Sequence, residues 1–170
     1  MFNLNKYIID QKLISLRDTY LIKDIQESEI GKVEGKLVSF GSQFRFLDLS
    51  GQTVAHVREE VLKFRKTFHI LDADENLVVT MRKTLFTLVA PEYWFEDPDG
   101  NEILRAKGKF HAYQYALFDP QGEMAAEITK EWVSLQDSYG VEILSSVDPL
   151  IVLSAVICID NIEHNLLKKS

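Results

Sequence analysis

Asp148-Pro-Leu-Ile-Val-Leu-Ser-Ala-Val-Ile-Cys-Ile-Asp160-Asn-Ile-Glu-His-Asn-Leu-Leu167 is the stretch whose reading decides the fold. It reads as a helix. Asp148 is placed to cap the first free N–H groups, and Pro149 suits the first helical position, where no N–H is needed. From Leu150 to Ile159 every residue except Ser154 is apolar. A surface helix carries one apolar stripe, whereas a helix apolar all round must be enclosed on every side. A membrane span needs roughly 18–20 apolar residues, and Asp160 ends this run too early. The expected enclosure is therefore protein. Beyond Asp160, the residues Ile162, Leu166 and Leu167 leave one apolar stripe, so the helix is expected to emerge there. Lys168 and Lys169 suit the negative end of its dipole.

The remainder of the chain repeats a pattern six times. Tyr20, Phe44, Phe68, Tyr93, Tyr115 and Tyr139 fall at one place in the repeat. Two residues later come Ile22, Phe46, Ile70, Phe95, Leu117 and Val141. Two residues later again, five of the six units carry an aspartate: Asp24, Asp48, Asp72, Asp97 and Asp119. A spacing of two keeps side chains on one face of a strand. Each unit thus has a strand with an aromatic and an apolar residue facing one way, and an acidic residue at its end. Turn signals follow at Ser50-Gly51, Asp99-Gly100 and Gln121-Gly122. Longer alternating segments come next, at residues 30–40, 53–64, 77–89, 102–113 and 124–135. Each is expected to be a strand that turns a corner, or two strands in succession. Gly35 and Gly108 are the expected bends or bulges.

About twelve strands, mostly antiparallel, must surround an apolar helix. A solenoid has nowhere to hide it, and a propeller has only a channel lined by backbone and small residues. A closed antiparallel barrel of about twelve strands around a central, buried C-terminal helix at about 148–167 accommodates both features. Residues 1–170 form one domain, which suits their number. The two columns then face inward and pack on the helix.

Two passages resemble the LURP-one-related family. One is Tyr7-Ile-Ile-Asp-Gln-Lys-Leu-Ile-Ser-Leu-Arg-Asp-Thr-Tyr-Leu-Ile-Lys-Asp24. The other is Trp132-Val-Ser-Leu-Gln-Asp-Ser-Tyr-Gly-Val-Glu-Ile143, with the apolar helix after it. The likeness runs in order over about residues 6–162. It implies a tubby C-terminal-like barrel around a hydrophobic helix, related more distantly to phospholipid scramblases. It implies no specific activity: tubby domains bind phosphoinositides through a basic pocket, but none of those residues match positions here.

Composition narrows the function. The chain is 46% hydrophobic and has a net charge of −7, which marks a folded protein without the broad basic face that nucleic acid needs. Its one cysteine, Cys158, cannot form an internal disulfide and reads as a small buried hydrophobe. No basic-then-apolar leader opens the sequence, so the expected location is the cytoplasm, with peripheral membrane contact as a candidate. His56, His69, His111 and His164 lack metal-ligand spacing. The chain has no nucleophile elbow, phosphate loop or dinucleotide fingerprint, so no catalytic residue, metal or cofactor is expected. The strand-end aspartates suit turns rather than acid–base chemistry.

The candidate lipid-binding residues are Arg58, Lys63, Arg65, Lys66, Arg82 and Lys83, which adjacent repeats would gather into one patch. Cationic side chains hold phosphate headgroups by charge-assisted hydrogen bonds. Glu59 and Glu60 interrupt the cluster, and a solvated outer face of mixed charge is the plainer reading. Trp94 lies between two inward residues and should face out, against a neighbouring strand or a partner. The expected function is a non-enzymatic binding or scaffold protein, with an anionic phospholipid headgroup or a protein as partner. The alternatives are scramblase-like lipid handling and an enzyme with an unrecognised site.

Overall fold

The structure is a computed structural model that describes residues 2–14, 17–38, 41–61, 64–84, 90–109, 114–130 and 138–167. Twelve strands precede one helix: β1 (Lys6–Ile14), β2 (Arg17–Lys23), β3 (Glu29–Val38), β4 (Gly41–Leu47), β5 (Thr53–Glu60), β6 (Thr67–Asp72), β7 (Leu77–Lys83), β8 (Glu92–Glu96), β9 (Glu102–Lys109), β10 (Gln114–Phe118), β11 (Met124–Thr129), β12 (Ser138–Ile143) and α1 (Pro149–Leu167). Each strand pairs antiparallel with the next, and β12 returns to β1 through Tyr7 opposite Val141 and Ile9 opposite Tyr139. The sheet closes on itself, so no edge strand is left unpaired.

α1 fills the lumen. Asp148 caps it, its Oδ1 accepting the Leu150 N–H at 2.9 Å. Every residue from Ile151 to Glu163 is buried. The two columns face it: Tyr20, Phe44, Phe68, Tyr93, Tyr115 and Tyr139 are all buried, as are Ile22, Phe46, Ile70, Phe95, Leu117 and Val141. Small residues sit beside the large rings. Gly35 pairs with Phe44, Ala106 with Tyr93 and Gly108 with Tyr115. A Cβ at Gly108 would lie 2.1 Å from the Tyr115 ring, so the glycine is the space the ring occupies. This alternation of small and large residues fits side chains into a narrow barrel.

Gly35 and Gly108 are therefore not bulges: the register runs through both without a break. The breaks recur at the other end of the strands, at Ile22/Lys23, Phe46/Leu47, Ile70/Leu71, Phe95/Glu96 and Leu117/Phe118. The extra residues on the following strands are Ile30, Val54, Val78, Ile103 and Ala125, and they pack on the core. Among the described residues each long segment of the repeat contributes one strand, and residues 39–40, 62–63, 85–89, 110–113 and 131–135 of these segments lie outside the described residues.

The bulges follow five closely similar turns. In each, the backbone N–H three residues after the aspartate donates to the aspartate carbonyl: Glu27 to Asp24, Gly51 to Asp48, Glu75 to Asp72, Gly100 to Asp97 and Gly122 to Asp119. Those five donors all have positive φ, between 64° and 86°. This is a three-residue hairpin loop with a left-handed residue, the form in which a bulge is built in. Each aspartate Oδ1 also accepts the N–H four residues on, at 2.8–2.9 Å.

Side-chain hydrogen bonds from the Ser50 hydroxyl and the Asn76 and Asn101 amides, with these backbone bonds after them, hold Asp48, Asp72 and Asp97 respectively below the ordinary aspartate value of 3.8. The folded chain binds fewer protons there than the unfolded chain, so stability rises with pH across this window. The contribution is fully present above the ordinary aspartate value and is lost as pH falls through the lowered folded values. The urea midpoint is expected to fall as the pH drops below about 4, modestly because these groups are exposed, and the triple Asp48→Asn, Asp72→Asn, Asp97→Asn variant to show a shallower fall.

Candidate functional site

Among the described residues the lumen is packed by α1 and the inward columns, and several of its polar groups are engaged with one another. Asp160, 2% exposed, accepts hydrogen bonds from the Tyr20 hydroxyl at 2.7 Å and from the Tyr139 hydroxyl. The helix thus does not emerge at Asp160, as its sequence suggested. The carboxylate stays inside because two tyrosines of the aromatic column point their hydroxyls at it. Burial, then the Asp160 charge, push the Tyr20 hydroxyl well above its ordinary value, so it remains a donor. Lys130 lies over the Tyr139 ring at 4.7 Å. Farther round the same mouth, Glu59 accepts the Ser42 N–H at 2.9 Å and pairs with Lys66. Cys158 is fully buried, and desolvation pushes its thiol up, away from the reactive thiolate.

Five of the six basic residues singled out in the sequence are described, and strand parity separates two of them. Arg82 and Lys83 are consecutive on β7 and so face opposite ways. Arg82 lies outside, with Nε donating to Glu96 at 3.1 Å. Lys83 has the inward parity of Met81. Burial, partly offset by the Glu163 charge, lowers its affinity for a proton. Lys66 is held by Glu59, and Arg58 by Glu75. Arg65 stacks over the Trp94 ring at 5.3 Å, and the Trp94 indole N–H donates to Glu96 at 2.8 Å. Trp94 thus faces out against its neighbours. Lys63 and His111 lie outside the described residues, as does the side chain of His164. His69 sits between Thr80 and Glu60, at 3.2 and 3.0 Å. No metal-holding cluster occurs among the described residues.

A different group of cations does come together. On the outer face of β3–β5, Lys36 stands beside Gln43 and Gln43 beside Arg58. One row over, Glu34 stands beside Arg45 and Arg45 beside His56. The two rows flank a hollow of about 440 Å³ at Gly35. Arg45 donates to Glu34 at 2.9 Å, and Lys32 approaches the same carboxylate at 2.9 Å. These two, Lys32 first, hold Glu34 below the usual carboxylate range. Arg45 and Lys36 remain exposed. The hollow thus has Lys36, Arg45, Arg58 and His56 around a single carboxylate. A second hollow of similar size, at β9–β10, differs in kind: Glu102 takes both Nε and Nη2 of Arg105, at 2.9 and 2.6 Å.

Sequence reasoning kept Arg58 and missed its neighbours. Gln43 and Arg45 flank Phe44 of the aromatic column, which marks them as outward. Their apposition to Lys36 and His56 depends on the cross-strand register, which the repeat alone does not supply.

The LURP-one-related family pattern matches residues 5–160. The chain belongs to the LURP-one-related family. A solved X-ray structure of a protein from Arabidopsis thaliana superposes with a TM-score of 0.66. It is 15% identical and covers 92% of this chain and 91% of its own. At that identity the likeness concerns the fold, which this LURP-one-related chain shares. No curated protein matches the sequence.

Asp160 gives the site's structural frame a direct check. Asp160→Ala removes the acceptor of two buried hydroxyls and is expected to lower unfolding free energy by about 3 kcal/mol. Tyr20→Phe is expected to cost less than Asp160→Ala, since one acceptor bond remains. Urea unfolding of both variants measures the difference.

Proposed function

We propose that this LURP-one-related chain is a non-catalytic binding domain whose ligand is an anionic, phosphate-bearing headgroup. One observation carries the reading: Lys36, Arg45, Arg58 and His56 surround the hollow at Gly35 on the outer face of β3–β5. Guanidinium groups present forked donors that match phosphate oxygens, and Lys36 adds a point charge. Glu34 and Glu75 already neutralise Arg45 and Arg58 in part. A ligand must therefore compete with carboxylates, and affinity should be modest and salt-sensitive.

The interior argues for a scaffold rather than an enzyme. Two of its carboxylates, Asp160 and Glu59, are turned to hydroxyls, an N–H and a lysine. Scramblase-like insertion of α1 is disfavoured by the burial of every residue from Ile151 to Glu163. No described helix is long and apolar enough to cross a membrane.

Vesicle co-sedimentation tests the reading. Phosphatidylinositol phosphate vesicles are expected to pull down the protein at low salt and less at physiological salt, while neutral vesicles leave it in solution. Lys36→Glu with Arg45→Glu should reduce the bound fraction about tenfold. Equal binding by that variant, or by neutral vesicles, would refute the assignment.

A further inference from the structure

The five hairpin turns, which all lie at one end of the barrel, have a composition unlike the rest of the chain. Residues 24–28, 48–52, 72–76, 97–101 and 119–123 hold ten carboxylates and no lysine or arginine. Five of these are the turn-closing aspartates. Of the other five, Glu75 pairs with Arg58. Glu27, Asp74, Asp99 and Glu123 close no turn with their side chains, and all four are exposed. The segment after β12 adds Asp148 and again no cation.

The same rim exposes large apolar side chains. Met124 opens β11, Leu144 follows β12, Leu4 precedes β1, Ile25 and Leu49 tip the β2–β3 and β4–β5 turns, and Leu77 opens β7. Leu49 is 70% exposed, Ile25 55% and Leu144 52%. Met124, Leu144, Leu4, Ile25, Leu49 and Leu77 follow one another round the barrel, because β11, β12, β1 and β2 to β7 are successive neighbours. Ile25 and Leu49 are two strands apart, or about 10 Å at the usual strand spacing. That is close to two turns of an α-helix, about 11 Å.

From this juxtaposition we propose that the turn end of the barrel docks a basic, amphipathic segment of a partner protein. Apolar contacts at Ile25, Leu49 and Leu144 would seat such a segment, and the surrounding carboxylates would meet its lysines and arginines. The charge decides among occupants. An anionic membrane and a nucleic acid are repelled by this rim. A second copy of the chain would bring two acidic rims face to face. The surface adjoins the cationic hollow on β3–β5 through the Arg58–Glu75 pair but does not rest on that assignment.

The test uses the full chain and labelled synthetic peptides of about 18 residues. One places Leu at i, i+3, i+4 and i+7 with Lys elsewhere as an amphipathic helix, one replaces Lys by Glu, and one keeps the Lys count but replaces Leu by Gly and Ser. At physiological salt the Leu/Lys peptide should bind best and shift the NMR signals of Ile25, Leu49 and Leu144. Glu27→Lys, Asp74→Lys, Asp99→Lys and Glu123→Lys together should weaken it about tenfold or more. Ile25→Ser with Leu49→Ser should weaken it severalfold, while circular dichroism and the urea midpoint stay near wild type, since both side chains are exposed. The proposal fails if the Leu/Lys peptide does not bind, or if its shifts map elsewhere. It also fails if the Leu-free peptide binds equally well, if the serine variant is unaffected, or if the protein dimerises through this rim.

Discussion

A helix with no polar face over its central turns depends on enclosure, and enclosure sets the terms for the other residues. From Ile151 to Ile159 each side chain needs an apolar partner wherever it points. A flat sheet supplies partners on one side. A sheet rolled until β12 meets β1 supplies them on all sides and removes its own edges. The inward columns, the glycines beside the rings and the bulges that close the strand ends all serve that fit. Asp160 completes it: the carboxylate is held by Tyr20 and Tyr139, so the polar end of the helix is fixed in register with the barrel wall.

Much of this was legible in the sequence because strand periodicity and helix coating are both local signals. The aromatic and aliphatic columns, the five turn aspartates, the cap at Asp148 and the closed barrel all follow from spacing. The misreadings share one cause. Gly35 and Gly108 suggested bends or bulges; the register runs through without a bulge, and each glycine is space for a ring on the neighbouring strand, a relation set by cross-strand register. Asp160 looked like an exit from the barrel because its tyrosine partners lie 140 and 21 residues away. The bulges carried a signal that spacing alone did not reveal: paired inward residues such as Val78-Val79 and Ile103-Leu104, where strict alternation breaks.

The site was less legible than the fold. Of the basic residues close in sequence or in repeat position, Arg82 and Lys83 were set on opposite faces by strand parity. Another set, Lys36, Arg45, His56 and Arg58, was assembled by register from three strands. α1 packs with the inward columns in the core, and most of the described charged side chains lie on the outer surface. There the charge is divided: cations gather around the hollow on β3–β5, and carboxylates dominate the turn end.

The enclosure of α1 is the central claim, and native-state hydrogen exchange measures it most directly. Amides from Val152 to Ile159 should exchange only through global unfolding, with a free energy equal to that of β4 and β6 and unchanged by vesicles. Faster exchange of the helix than of those strands, or a loss of its protection when vesicles are added, would show that the helix leaves the barrel and would contradict the account.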